Sequence, residues 1–288
     1  MIPTPRERLT AVMLAALLAA AACSRTAKEE APPPSPALAA AAPKPPRPSF
    51  AGSFQEKTAL GLVFKDVANP RWKAGAPDVL VFDKGAIEHY AKSVGRFPFH
   101  QDGIERLLFV HETAAVEDNT CHACGVTLGA AVFAHRADTW HLEFAQPDIS
   151  GYGSFGTGPQ VGNLALLRIG RDRFALRVTS CDMHFGRRDC MLALHEAAAE
   201  FPQVFLLVQA SNNEGTCSED PVEWHDGVEP CVTSEGTLTM VPGGNLEYDD
   251  IVVATRGTEM DAAAKQVVPF ARESRFTFRA GRFEKQPG

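Results

Sequence analysis

Cysteine and histidine side chains near the middle of the chain form the group best suited to chemistry. Cys121, His122 and Cys124 lie within four residues, with His111 before them and His135 after them. Thiolates and imidazoles together suit zinc or copper. Two cysteines at this spacing also suit a thiol-redox pair or a structural disulfide. All three interpretations remain open, and the structural disulfide is the preferred one.

A glycine-rich segment, residues 149–163, is the second candidate. Its glycines formally match the dinucleotide-binding pattern, but the segment leads into further glycines and then a strand. That pattern needs a helix N-terminus to hold a pyrophosphate, so we do not expect nucleotide binding. Tyr152 and Phe155 instead predict the rim of a ligand-binding site.

Acidic residues in the segment 211–231 make calcium a further alternative, although their order does not match an EF-hand loop. No GxSxG or SxxK motif is present in the sequence, and we find no arrangement suited to nucleophilic catalysis. The sequence therefore favours a protein that is not an enzyme, with no cofactor expected and calcium or zinc as alternatives.

The N-terminus has the layout of an export signal. Arg6 and Arg8 precede an uncharged run, residues 9–22, and Cys23 follows four alanines. The run is shorter than the roughly 20 residues of a spanning helix, which predicts a cleaved signal over residues 1–22.

The segment ending in Cys23 resembles the signal of Gram-negative lipoproteins, although Ala20 stands where that family usually has Leu. The resemblance implies a lipid on Cys23. Ser24 in place of the retaining Asp implies an outer-membrane location facing the periplasm. Cleavage without lipidation, which gives a soluble periplasmic protein, is the alternative.

Residues 23–49 are rich in proline and alanine and predict an extended tether. Residues 50–288 are long enough for one globular domain. The formal net charge of −7 argues against a nucleic-acid partner. It also suits anionic headgroups poorly, so we expect the lipid to provide the membrane attachment.

Six cysteines remain if Cys23 is lipidated, and an even number in an exported protein predicts disulfides. Their spacing favours pairing between neighbours. These pairs are Cys121 with Cys124, Cys181 with Cys190, and Cys217 with Cys231.

The positions of apolar residues predict mostly strands. A strand is expected at 106–111, hairpins at 126–144 and 164–178, a buried strand at 203–210 and further strands at 236–241, 248–255 and 274–280. Helical spacing predicts short helices at 82–95 and 191–201. The expected class is mainly β, an antiparallel sandwich, barrel or propeller-like fold with a few short helices, and α+β is the alternative.

The sequence therefore predicts an envelope lipoprotein with a disulfide-bonded, non-catalytic binding or structural β domain. Its ligand would be an envelope protein, a glycan or a small molecule. The alternatives are a periplasmic thiol-redox protein that uses Cys121 and Cys124, and a zinc- or copper-binding protein at the segment from His111 to His141.

Overall fold

The computed structural model describes residues 47–116, 124–154, 156–220, 224 and 228–287. The predicted signal, nearly all of the tether, Cys121, His122 and Phe155 lie outside these residues. The described residues form antiparallel sheets with little helix, which confirms the mainly-β class.

A seven-stranded antiparallel sheet is formed by the first part of the domain, in the order β1-β7-β6-β5-β4-β3-β2. Its strands are β1 (Ser49–Ala51), β2 (Ala68–Lys73), β3 (Ala76–Lys84), β4 (Ile87–Gln101), β5 (Ile104–Ala115), β6 (Val126–Arg136) and β7 (Thr139–Tyr152). Helix α1 (Glu56–Val63) lies between β1 and β2 in the chain.

An eight-stranded sheet follows, in the order β17-β16-β15-β14-β11-β10-β9-β8, after a short 3-10 helix (Val161–Asn163). The strands after β7 are β8 (Leu164–Gly170), β9 (Arg173–His184), β10 (Arg187–Glu196), β11 (Gln203–Asn212), β12 (Cys217–Ser218), β13 (Glu229–Pro230), β14 (Thr233–Val241), β15 (Asp250–Asp261), β16 (Gln266–Arg279) and β17 (Arg282–Lys285). The short strands β12 and β13 form a separate parallel pair.

The central strands of the first sheet, β5 and β6, are buried on both faces. On β5, Phe109 packs in a cluster with Leu60 and Phe64 of α1, whereas its neighbours Leu108 and Val110 pack in a cluster with residues of the second sheet. Successive strand residues point to opposite faces, so β5 has no polar face over this stretch. The predicted strand at 106–111 is confirmed and extends in both directions.

Two predicted helices are wrong. Residues 82–95 belong to β3 and β4, and residues 191–196 belong to β10. The predicted buried strand at 203–210 is present as β11, but Leu206 is 51 % exposed, so its burial is only partial. The helix α1, at eight residues too short to be stable alone, was not predicted and is held by the packing of Leu60 and Phe64.

Two cysteine pairs are bonded as neighbour pairing predicts. Cys181 on β9 lies directly opposite Cys190 on β10, and the two form a disulfide. Cys217 and Cys231 form a second disulfide beside the β12–β13 pair. Each bond closes a short loop, so its main effect is to restrict that loop.

A buried histidine occupies the core beneath α1. His111 on β5 is fully buried. The Phe64 ring contacts the imidazole edge-on, with the two ring centroids 5.0 Å apart. It lies opposite Gly129 on β6, where a Cβ atom would come within 2.3 Å of His111 Nε2. Glycine at position 129 therefore provides the space for the imidazole.

Burial lowers the pKa of His111 to about 4 from 6.5, and the Pro147 carbonyl opposes the shift only in part. The unfolded chain therefore binds a proton more readily than the folded one. The stability that the neutral ring contributes is complete above pH 6.5 and is lost as the pH falls toward 4.

We expect His111→Leu to lower the pH dependence of unfolding between pH 6.5 and 4. Between these pH values the wild type should lose about 3 kcal/mol more of its free energy of unfolding than the variant, at about 1.4 kcal/mol per pKa unit. Urea denaturation at several pH values measures it. His100→Leu, at an exposed position, is the control and should retain the wild-type slope. An unchanged slope in His111→Leu would contradict the assignment.

Candidate functional site

An open groove of about 670 Å³ lies where the ends of β6 and β7 meet β9, β10 and β11. The first sheet contributes a glycine-rich wall, which includes Gly125, Gly151 and Gly153. The second sheet contributes a floor that includes Met191 and Leu206. The glycine wall and the apolar floor together leave room for a flat or extended ligand.

Strand alternation places the polar side chains of the second sheet in the groove. Asp182 and His184 on β9 and Asp189 on β10 all line it. Because neighbouring residues point to opposite faces, the disulfide-bonded Cys181 and Cys190 lie on the other face of the same hairpin. One hairpin thus carries the polar wall on one face and its covalent constraint on the other.

Each of the two carboxylates in the groove has a polar partner. Asp182 and Asp189 are direct cross-strand partners, an arrangement that is unfavourable for like charges. His184 Nε2 lies 2.8 Å from Asp182 Oδ2, and Arg187 Nε lies 3.6 Å from Asp189 Oδ1. The wall is therefore polar without being strongly anionic.

Tyr152, the last residue of β7, is the aromatic side chain of the groove. Its hydroxyl lies 2.6 Å from Nε2 of His195 on β10. His195 is almost completely buried. The contact joins the end of the first sheet to the second sheet, and it fixes the direction of the phenol.

Burial shifts both members of this pair toward their neutral forms. It raises the pKa of Tyr152 to about 12 and lowers the pKa of His195 to about 4, with the Phe201 carbonyl opposing the latter shift. The Tyr152 hydroxyl and His195 Nε2 share a hydrogen bond whose direction follows the tautomer of the ring, and His195 Nδ1 has no other partner among the described residues. A hydrogen bond from Ser150 partly opposes the rise in the Tyr152 pKa, so the phenol oxygen has polar contacts on the groove side as well as with His195.

The metal cluster predicted from the sequence is not formed by those of its residues that the structure describes. His111 is in the core opposite Gly129, whereas His135 lies six residues further along β6, roughly 20 Å away. His135 stacks on Trp140 at 4.5 Å and contacts Glu105. Within the described ranges, no group of three His, Cys, Asp or Glu side chains is arranged to hold a metal.

The predicted redox segment can be placed only in part. Cys124 is disulfide-bonded and directly precedes the groove residue Gly125, while Cys121 and His122 lie outside the described residues. Of the predicted rim, Tyr152 lines the groove, and Phe155 lies outside the described residues. His141 pairs with Ser49 near the edge of the first sheet, away from His111.

Sequence reasoning missed the groove residues that the second sheet contributes. The helix predicted at 191–201 placed His195 on the wrong kind of element, and Asp182 and Asp189 belong to no recognised motif. Their directly opposite pairing follows from the Cys181–Cys190 bond once both cysteines are taken as strand residues. That signal was present in the sequence, but the helical spacing of residues 191–201 concealed it.

Comparison of the chain with protein-family models, curated proteins and solved structures finds no match. The function of the chain must therefore be inferred from the geometry of the groove.

We expect Tyr152→Phe to lower the free energy of unfolding by about 1–3 kcal/mol, because it leaves buried His195 Nε2 without a hydrogen-bond partner. Chemical denaturation at pH 7 measures the change. Tyr90→Phe is the matched control, since the Tyr90 hydroxyl is 3.4 Å from Glu112 and that carboxylate keeps Lys92 at 2.9 Å. An equal decrease in the free energy of unfolding in both variants would show that the Tyr152–His195 contact does not stabilise the fold more than the Tyr90–Glu112 contact does.

Proposed function

We propose that the chain is an exported lipoprotein whose β domain binds a polar envelope ligand, a glycan in the first instance, in the groove at Tyr152. The observation that carries the proposal is the Tyr152–His195 contact. It holds an aromatic ring and a hydrogen-bond acceptor at a fixed place in a groove of ligand size.

The chemistry of the groove supports binding in preference to catalysis. Tyr152 stays protonated and is a weak nucleophile, and His195 is a weak base whose Nε2 is already occupied. The Asp182–His184 contact leaves the nearby imidazole engaged with a carboxylate. These groups are suited to donating and accepting hydrogen bonds at fixed positions.

The choice of a glycan follows from the mixture of surfaces. Hydroxyl and carboxylate groups from Ser150, Ser180 and Asp182 can bond sugar hydroxyls, and the Tyr152 ring offers an apolar face. A ligand of low charge suits a wall in which the carboxylates are paired with His184 and Arg187.

We expect Gly151→Trp to abolish binding of soluble peptidoglycan fragments, the probe for an envelope glycan. Gly151 lines the groove, and a Cβ atom there meets nothing within 4 Å, so an indole has room at the rim of the groove, where it would obstruct a ligand. Isothermal titration calorimetry of the purified protein measures the binding.

Gly162→Trp is the matched control, because its Cβ position is equally free and it lies outside the groove. It should bind the fragments as the wild type does. Binding that survives in Gly151→Trp would exclude the groove as the site, and a wild-type protein that binds no fragment would exclude the glycan.

The lipid anchor is proposed from the residues before the domain. Among the described helices, none is long and apolar enough to cross a membrane. The signal-like segment that ends at Cys23 supports attachment through that residue.

We expect the wild-type chain, expressed in a Gram-negative host, to incorporate labelled palmitate and to sediment with the outer membrane. Cys23→Ser should incorporate none, because the thiol that carries the lipid is absent. Labelling of the Cys23→Ser variant, or an unlabelled wild type in the soluble periplasmic fraction, would refute lipidation.

A further inference from the structure

The turn between β9 and β10 exposes a large aromatic side chain almost completely. Phe185 is 97 % exposed, and Met183 beside it is 60 % exposed. Both belong to the hairpin tip, defined here as residues 183–188. Single exposed apolar residues are ordinary on protein surfaces, so exposure alone carries no conclusion.

The backbone at the tip is the second observation. Phe185 and Gly186 connect the paired residues His184 and Arg187, and both have positive φ, 48° and 76°. A two-residue turn of this kind favours Asn followed by Gly, and a bulky residue in the left-handed region is disfavoured. Phenylalanine therefore occupies a position where the turn favours another residue, and its exposed side chain does not stabilise the fold by being buried.

The tip is held rigidly. Gly215 N donates a hydrogen bond to the Gly186 carbonyl at 3.0 Å, and a Cβ atom on Gly186 would come within 2.6 Å of Thr216 Cγ2. The hairpin is closed by Cys181–Cys190, and the adjoining segment by Cys217–Cys231. Phe185 is thus presented on a fixed support, which lowers the entropic cost of any contact that it makes.

Two cations follow the aromatic residue. Arg187 and Arg188 are both exposed, in a chain whose formal net charge is −7. Asp189 already contacts Arg187, with its Oδ1 3.6 Å from Arg187 Nε. Asp182 and Glu214 are two further carboxylates near the tip. These acids limit the electrostatic attraction to an anionic surface, so the apolar side chain must provide most of the affinity.

We propose that the hairpin tip docks the domain on an anionic phospholipid bilayer, with Phe185 inserted at the headgroup boundary and the two arginines at the phosphates. An apolar side chain flanked by cations suits that interface. A convex tip offers a protein partner far less than the roughly 800 Å² per side of a stable interface, whereas a bilayer requires only a side chain that can enter it. This docking relies on Phe185, which does not line the groove, and it is additional to the lipid proposed on Cys23.

The test uses the mature chain from Ser24 to Gly288, exported behind a cleavable signal so that it is oxidised but carries no lipid. It contains the whole compact unit Pro46–Gly288. Sedimentation with vesicles of phosphatidylethanolamine and phosphatidylglycerol should show binding that weakens when phosphatidylcholine replaces the anionic lipid. Fluorescence of Phe185→Trp should be quenched by brominated lipids.

Phe185→Asn should lower the vesicle partition coefficient about tenfold or more, because the apolar contact is lost. It should not lower the unfolding temperature, because Asn followed by Gly suits the turn. Arg187→Gln and Arg188→Gln should each lower binding to anionic vesicles about fivefold. Leu246→Asn is the control, since Leu246 is 93 % exposed on another loop, and it should bind as the wild type does.

Failure of the wild type to bind anionic vesicles would overturn the proposal, even if the tip were found to bind another protein. Equal binding by Phe185→Asn and the wild type would also overturn it. Binding of peptidoglycan fragments by Phe185→Asn should be unchanged, so this experiment and the test of the groove can fail separately.

Discussion

Burial of β5 and β6 on both faces is the constraint on which the rest of the structure depends. Phe109 and Phe133 face α1, and Leu108 and Val132 face the second sheet. Each large apolar side chain removed from water contributes about 1.5–3 kcal/mol, and here two sets do so from the same strands. A one-residue shift in register would exchange the two sets, so the packing on both sides fixes the register of β5 and β6 together.

The groove follows from that constraint. The second sheet packs over β5 and β6 but leaves the ends of β6 and β7 uncovered, and the glycines there allow a gap beside β10. A buried polar contact, Tyr152 to His195, crosses between the two sheets at this point. Its cost is that both side chains must remain uncharged, which their shifted pKa values show.

The sequence was informative where strands alternate or where turns have a distinct composition. The hairpins around Arg136 and Asp172 were predicted correctly, and so was β16, with Phe276 and Phe278 packed inward. It was misleading where alternation fails. In β4, apolar residues face both sides of the sheet: Tyr90 and Val94 pack in the cluster shared with the second sheet, and Ala91 packs in the cluster beneath α1. Their combined spacing therefore resembles that of a helix.

Strand β10 was misread for a different reason. Leu192 and Leu194 pack into the core of the second sheet, while Ala193 and His195 face the groove side. Because both faces of β10 carry apolar or uncharged side chains over this stretch, its sequence shows no alternation of apolar and polar residues. His195 could therefore be recognised only after the fold had placed Tyr152 beside it, and the same holds for most of the groove.

The β9–β10 hairpin shows why one element can serve two purposes without conflict. Strand alternation separates the groove residues from the disulfide, and the turn projects beyond both. The covalent bond limits twisting of the hairpin, so the polar wall stays in place when the tip makes a contact. Rigid support also explains how Phe185 can occupy a disfavoured conformation, because the neighbouring Gly186–Gly215 contact and two disulfides leave the turn few alternatives.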